Sequence, residues 1–282
     1  MVFSAYRINR VYLVHLQRRQ MKKGICIGSL PGDSTKARFN IAKKAGFHGV
    51  EIGPLQSVEE RKNIKDLAGE IGIELCSVMN GKHWSHPLSD ADPAVREVSH
   101  QAMLDSLSTA EAIGADTVLL VCAVVNNQTT YEDAYKRSQE EIRRLIPTAE
   151  EKGLTIAIEN VWNKFLLSPM EFARYIDEFE SDTVSAYFDV GNIVAYGFPQ
   201  HWIRSLSSRI SKVHVKGFNA GEHRFTYLID DCTIDWNAVM AALKDVGYDD
   251  YMTAELPVNA DDPEGTVHKI SEDIDSIIAG EV

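Results

Sequence analysis

The sequence predicts one (β/α)8 barrel, and three observations lead to that fold class. After residue 21, short runs of β-branched and apolar residues alternate with longer stretches of helical periodicity eight times. Repeated strand–helix units require a parallel sheet with right-handed crossovers, and eight of them in about 260 residues match a closed α/β barrel. No G-x-G-x-x-G motif follows the first strand, which argues against an open doubly wound sheet.

The eight predicted strands are short, and the segments between them are long enough for a helix. In chain order the strands are 24–28, 48–52, 73–78, 116–122, 154–159, 184–189, 210–215 and 251–256. Five of them follow a glycine of the kind that ends a helix and turns the chain, namely Gly46, Gly72, Gly114, Gly153 and Gly247. These glycines support the division into repeated strand–helix units.

Several of the intervening helices carry recognisable start signals. Ser57 with Glu60 has the spacing of a capping box, and Ser168 with Glu171 repeats it with a proline at the first helical position. A third helix is predicted to open with Asp-Pro and to span 92–113, where a glycine ends it. No linker or low-complexity stretch divides the chain, so we expect one domain from residue 22 to residue 282.

Composition excludes several classes of protein. The 282 residues carry 41 acidic and 29 basic side chains, a net charge of −12, which argues against a surface built to neutralise nucleic-acid phosphates. No run approaches eighteen apolar residues, so no membrane span is predicted. The cysteines are widely separated and contain no C-x-x-C pair, which points to a reduced, cytoplasmic setting.

The amino terminus differs from the rest of the chain. Residues 1–23 contain six Lys or Arg and no acidic residue, and Met21 directly precedes the first predicted strand. Neither a secretory signal nor a serine-rich transit peptide fits this composition well. We expect residues 1–21 to be an N-terminal extension outside the barrel, either disordered or upstream of a true start at Met21.

Metal-binding residue types stand at the carboxyl ends of the last four predicted strands. Glu159, Asp189, His214 and Glu255 each come at the end of an apolar run. The carboxyl ends of barrel strands form the functional face, where clustered carboxylates are costly unless a cation compensates them. Three carboxylates and one imidazole suit Mn²⁺, Mg²⁺, Co²⁺ or Zn²⁺, so we predict one divalent metal ion here. The alternative is pairing with basic residues, of which Lys216 is the obvious candidate.

The same segments resemble a known family. The runs AIENVWN, YFDVGN, HVK and TAEL around these four residues resemble the sugar phosphate isomerase/epimerase family with the xylose-isomerase-like barrel. The resemblance covers about residues 22–280 and points towards the ketose 3-epimerases, L-xylulose-5-phosphate 3-epimerase and hexulose-6-phosphate isomerase-like proteins. It implies that Glu159, Asp189, His214 and Glu255 are metal ligands. It also implies that Glu159 and Glu255 are the catalytic acid/base pair.

The function implied is metal-dependent epimerisation or isomerisation of a ketose or ketose phosphate. A metal on the carbonyl and neighbouring hydroxyl would stabilise an enediolate while glutamates move the proton. The sequence leaves epimerase and isomerase open, because they differ in how the substrate is turned. A lyase or dehydratase acting on an inositol or keto-sugar is the alternative. An endonuclease IV-like enzyme is disfavoured by the charge and by the scarcity of histidines.

Five further residues are predicted to bind the substrate: Lys216, Asn192, Glu51, His83 and Trp162. Glu51 has a second interpretation, a salt bridge that holds the loops, and Lys216 could instead pair with Glu159 or Asp189. Relatives often have histidine at Asn192 and aspartate at Gly217, so substrate contacts here differ from the family pattern.

We expect a small-molecule sugar or sugar phosphate as the only partner class, with no nucleic acid or membrane, and a homo-oligomer (dimer or tetramer).

Overall fold

The computed structural model describes residues 21–282. The extension predicted at residues 1–21 therefore lies outside the described residues, except for Met21. Eight parallel strands form a closed barrel, which confirms the predicted fold class. They are β1 (Lys22–Cys26), β2 (Gly49–Ile52), β3 (Glu74–Met79), β4 (Thr117–Leu120), β5 (Thr155–Glu159), β6 (Val184–Asp189), β7 (Ile210–Val215) and β10 (Tyr251–Ala254).

Helices connect these strands and cover the outside of the barrel. They are α1 (Thr35–Lys44), α2 (Val58–Ile71), α3 (Pro93–Ile113), α4 (Tyr131–Lys152), α5 (Pro169–Asp177), α6 (Val190–Val194), α7 (Pro199–Leu206), α8 (Trp236–Asp245) and α9 (Pro263–Ala279). Two short strands, β8 (Gly217–Asn219) and β9 (Arg224–Thr226), form an antiparallel hairpin after β7. In residues 21–282 no helix combines the length and the apolarity that crossing a bilayer requires.

The helix start signals operate as predicted, with one exception. Ser57 and Glu60 form a complete capping box at α2. At α5 the Ser168 side chain accepts from the Glu171 N–H, but the Glu171 carboxylate accepts from the Leu167 N–H and the Tyr131 hydroxyl instead of closing the box. The Tyr131 hydroxyl of α4 thus donates to the Glu171 carboxylate, which in a complete capping box would accept from the Ser168 N–H.

Three strands end two residues earlier than predicted because pairing stops earlier than the apolar pattern does. Strand β1 ends at Cys26, and residues 27–29 turn in a 3₁₀ helix. Strand β4 ends at Leu120, which is the last of its residues to pair with β5. Strand β10 ends at Ala254, so Glu255 is the first residue of the loop that follows it.

The core lies between the barrel and the helices, and a second layer fills the barrel itself. A buried cluster separate from the main core is formed by Leu119, Ala157 and Tyr187 on the neighbouring strands β4, β5 and β6, as expected for side chains that face the barrel interior. The Lys212 side chain is also buried and reaches carboxylates of Asp116 and Asp250. The carboxyl end of the barrel is instead lined by acidic groups.

Candidate active site

The four predicted ligand residues meet at the carboxyl end of the barrel. Glu159 and Asp189 end β5 and β6, His214 lies in β7, and Glu255 follows β10. One oxygen or nitrogen atom from each of the four lies within 4.8 Å of the corresponding atoms of the others. Glu159, Asp189 and His214 are buried, and Glu255 is partly exposed at the rim. The parallel topology brings together residues that are almost one hundred positions apart in the chain.

Local hydrogen bonds fix the Asp189 carboxylate. Its Oδ1 accepts from the Asn192 backbone N–H at 2.7 Å, so Asp189 caps the short helix α6. Its Oδ2 is buried and accepts no hydrogen bond from the described residues, although the Lys216 ammonium lies 3.0 Å away. The ion pair with Lys216 compensates part of the cost of burying this oxygen, which still has lone pairs that a cation can bind.

Both ring nitrogens of His214 face carboxylates. Nδ1 lies 3.1 Å from Glu159 Oε1, inside the cluster, and Nε2 lies 3.0 Å from Glu51 Oε1, on the opposite side of the ring. The Tyr187 ring packs against the imidazole with centroids 4.3 Å apart. Glu51 comes from β2 and is fully buried.

The electrostatics are those of an acidic site buried from water. Burial raises the pKa of Glu159 to about 7 and also raises the pKa of Asp189, against the opposing charge of Lys216. Burial would likewise raise the pKa values of Glu51 and Glu255. For Glu51 the positive charge and hydrogen bond of His214 outweigh burial and bring the pKa to about 2. For Glu255, His214 and Lys216 together lower the pKa below its usual value.

This donor set fits a divalent cation. Metal–ligand bonds of about 2.1 Å place ligand atoms up to roughly 4.2 Å apart, close to the separations within the cluster. Asp189 Oδ2 accepts no hydrogen bond from the described residues and has lone pairs available beside its ion pair with Lys216. The carboxylates also outnumber this single nearby ammonium. Carboxylates with one imidazole are typical ligands of Mg²⁺, Mn²⁺ and related ions.

A cavity of about 690 Å³ opens beside the cluster. Its charged end is formed by Lys216 and Glu255, whose side chains are paired with each other. The remaining wall is largely apolar. It includes Ile52 at the end of β2, Phe225 of β9, and residues of the segments that follow β1, β2 and β10, namely Ile27, Pro54, Leu256 and Pro257. Its volume is suitable for a small ligand.

The predicted substrate-binding residues divide into two groups. Lys216 and Glu51 line the cavity. The side chains of the other three, Asn192, Trp162 and His83, form hydrogen bonds within the protein. The Asn192 amide donates to the Asn160 carbonyl, the Trp162 indole donates to the Asn192 carbonyl, and His83 Nδ1 accepts from the Val121 N–H.

The hairpin β8–β9 was not predicted, and it contributes to the cavity wall. Phe225 lines the cavity and stacks on Trp162, with centroids 4.8 Å apart and planes inclined by 24°. Gly217 starts the hairpin where an added Cβ would lie 1.8 Å from the Tyr227 carbonyl oxygen, which explains why a larger residue is absent there. Strands of three residues are too short for an alternating pattern to be recognised in the sequence.

Comparison with known proteins agrees with the fold. The profile of the xylose isomerase-like TIM barrel family matches residues 39–276. Among curated proteins, one from Escherichia coli (strain K12), provisionally named L-ribulose-5-phosphate 3-epimerase SgbU, is 24% identical over 249 residues, which is 82% of this chain and 86% of that protein. A provisionally named protein SgbU of Haemophilus influenzae (strain ATCC 51907) is 24% identical, over 70% of this chain and 73% of its own length.

Solved structures show the same architecture at low sequence identity. The 3-keto-D-glucoside 4-epimerase YcjR from E. coli superposes with a TM-score of 0.79 and 16% identity, covering 92% of this chain and all of that one. A D-tagatose 3-epimerase-like protein gives 0.77 and 17%, with 93% and 100% coverage. The D-psicose 3-epimerase of Clostridium cellulolyticum H10 gives 0.74 and 18%, with 90% and 97% coverage.

Proposed function

The chain belongs to the xylose isomerase-like TIM barrel family, and from this membership we propose that it is a divalent-metal-dependent epimerase or isomerase of a ketose or ketose phosphate. The observation that carries the proposal is the joint presence of Glu159, Asp189, His214 and Glu255 beside a cavity of about 690 Å³. Three carboxylates and an imidazole supply a cation site, and two of the carboxylates are glutamates able to move protons.

The names of the related proteins support the substrate class. The curated relatives are provisionally named as epimerases of a ketose phosphate. Solved structures of similar fold include epimerases of free ketoses and of a keto-glucoside. All of these reactions invert a centre in a sugar that contains a carbonyl or its equivalent, so we place this chain's substrate among ketoses and their phosphates.

In the proposed reaction Glu159 and Glu255 act on the carbon next to the carbonyl. A divalent ion held by Glu159, Asp189, His214 and Glu255 would supply positive charge that stabilises an enediolate. One glutamate removes the proton, and the other returns it from the opposite face when the centre is inverted. Lys216 lies within the same charged group, paired with Asp189 and Glu255, and is placed to contact a substrate oxygen.

The test combines metal analysis with isotope exchange. Purified protein is incubated in D₂O with Mn²⁺ and a matched panel of ketoses and ketose phosphates, and deuterium in recovered sugar is located by NMR. Incorporation at the carbon next to the carbonyl is expected, and a product short of one water would indicate the lyase alternative. Asp189→Ala and His214→Ala are expected to lose bound metal, whereas the exposed His201→Ala variant retains it. Full metal content in both site variants, with no exchange on any sugar, would overturn the proposal.

A further inference from the structure

We propose that Glu51 is a positioning residue for the metal site, which holds the His214 ring so that Nδ1, and not Nε2, faces Glu159, Asp189 and Glu255. The inference rests on the proposed metal site and assigns a role to a residue outside the ligand set. The sequence suggested instead that Glu51 binds a substrate hydroxyl or forms a salt bridge. The contacts around its carboxylate decide between these roles.

The first step is the orientation of the imidazole. Glu51 Oε1 lies 3.0 Å from Nε2, and the Nδ1 side of the ring faces the cluster. A carboxylate accepts hydrogen bonds and donates none, so its partner nitrogen must carry the proton. Nδ1 faces the Glu159 carboxylate in the same way, but a cation bound by the cluster would take the place of a proton on Nδ1, whereas Nε2 keeps the proton that it donates to Glu51. A carboxylate behind a metal-bound histidine is a recurrent way to fix the tautomer and ring orientation.

The second step is the immobility of Glu51 itself. A carboxylate has about four acceptor positions, and protein donors occupy all of them. Oε1 receives His214 Nε2 and the Cys26 thiol at 3.3 Å, and Oε2 accepts from the Ser77 hydroxyl at 2.6 Å and the Tyr187 hydroxyl at 2.8 Å. These donors come from four different strands. No acceptor position remains for a sugar hydroxyl, which argues for positioning rather than substrate binding.

The third step is burial. Glu51 is 1% exposed and His214 is fully buried. The ring is also covered by Tyr187, which donates to the same carboxylate. Nε2 is therefore shielded from solvent, and loss of the Glu51 acceptor would favour the tautomer that places a proton on Nδ1.

The experiment measures Mn²⁺ affinity in metal-free protein. Glu51→Gln keeps the side-chain shape but replaces a carboxylate, which can only accept, by an amide that can also donate, so the variant no longer fixes the proton on Nε2. We expect its Mn²⁺ dissociation constant to rise at least tenfold, within the ~10–100-fold typical of such partners. Ser77→Ala and Tyr187→Phe are matched controls, since each removes one donor to Oε2 and leaves the Oε1 contact with His214 in place. Both controls are expected to bind Mn²⁺ within about threefold of the unaltered protein, since neither loses the partner of Nε2. Urea unfolding of all variants separates loss of affinity from loss of stability.

A second measurement needs no variant. Histidine labelled with ¹⁵N in the imidazole and loaded with Zn²⁺ should show Nδ1 metal-bound and Nε2 protonated for His214. Coordination through Nε2, or unchanged Mn²⁺ affinity in a folded Glu51→Gln protein, would overturn the positioning role while leaving the proposed function intact. Absence of any divalent-ion binding by the unaltered protein would instead overturn the metal site, and this inference with it.

Discussion

The side chain of Asn160 forms two hydrogen bonds with the backbone of Asp189. Its Nδ2 donates to the Asp189 carbonyl at 2.8 Å, and its Oδ1 accepts from the Asp189 N–H at 2.9 Å. Asn160 directly follows Glu159, so this amide joins the ends of β5 and β6, where two of the three clustered carboxylates stand. It was not among the residues predicted for the site, although its place beside Glu159 was a usable signal.

Replacing Asn160 by alanine is expected to weaken metal binding as well as folding. The substitution leaves a buried N–H and a buried carbonyl of Asp189 without partners, each worth about 1–3 kcal/mol. It also removes the link that aligns Glu159 with Asp189. We expect Mn²⁺ affinity to fall in titrations of the metal-free protein, and the free energy of unfolding in urea to fall as well.

Asn163 provides the matched control. Its side chain makes the same kind of contacts, donating to the Ala123 carbonyl and accepting from the Phe165 N–H. Neither of these partners belongs to the cluster of predicted metal ligands. Asn163→Ala should therefore lose comparable stability and keep its Mn²⁺ affinity. Equal losses of affinity in the two variants would show that general destabilisation, not alignment, is responsible.

The sequence was sufficient to predict the barrel and the cluster because both depend on local patterns repeated along the chain. Each of Glu159, Asp189 and Glu255 ends an apolar run, and parallel topology alone places such ends on one face. The clustering is therefore present in the structure as predicted, while metal coordination by these residues stays a prediction.

The contacts between distant strands could not be predicted in this way. Glu51 reaches His214 across the barrel from β2 to β7, and this contact depends on register and tilt, which no local pattern specifies. The hairpin that carries Phe225 depends on two strands of three residues each. The hydrogen bonds that Asn192 and Trp162 make within the protein also depend on tertiary neighbours, and substrate binding by these two residues stays a prediction.

His83 is expected to make stability depend on pH. Burial lowers its pKa to about 4, and the Val121 N–H donates to its Nδ1. The unfolded chain, with a histidine pKa of about 6.5, binds a proton that the folded protein does not, so stability is full above pH 6.5 and falls as the pH falls towards 4. At pH 4.5 this loss is on the order of 2–3 kcal/mol relative to pH 7.5.

Urea unfolding at pH 7.5 and 4.5 tests this with His83→Gln, which keeps an acceptor for Val121 and does not titrate. The decrease in unfolding free energy between the two pH values should be smaller in the variant by on the order of 2–3 kcal/mol. Identical decreases in the two proteins would show that His83 is protonated in the folded state.

Phe225 is expected to affect substrate binding more than folding. The ring is 40% exposed, lines the cavity, and packs on Trp162. Loss of an aromatic contact worth about 0.5–1.5 kcal/mol should raise KM roughly twofold to tenfold in Phe225→Ala, with a smaller change in kcat. Phe198→Ala removes an exposed aromatic residue outside the cavity lining and should leave both constants unchanged. Kinetics on the ketose that exchanges deuterium provide the measurement, and an unchanged KM in Phe225→Ala would place the substrate elsewhere.

The two glutamates are expected to separate binding from chemistry. Both belong to the cluster, but only a carboxylate can take up a proton from carbon, and Glu→Gln keeps the shape and one oxygen ligand while removing basicity. Glu159→Gln and Glu255→Gln should each lose turnover by the ~10²–10⁴-fold typical of general acid–base groups. Metal content is measured first, so that loss of the ion is not mistaken for loss of a base.

Partial reactions of the two variants then distinguish the reaction types. An epimerase needs a group on each face of the substrate, so the variant that keeps the deprotonating glutamate should still exchange a substrate proton with solvent deuterium without inverting the centre. An isomerase with one shuttling base should lose all exchange in one variant and far less in the other. Wild-type turnover of ketoses by both metal-loaded Gln variants would show that neither Glu159 nor Glu255 transfers the proton.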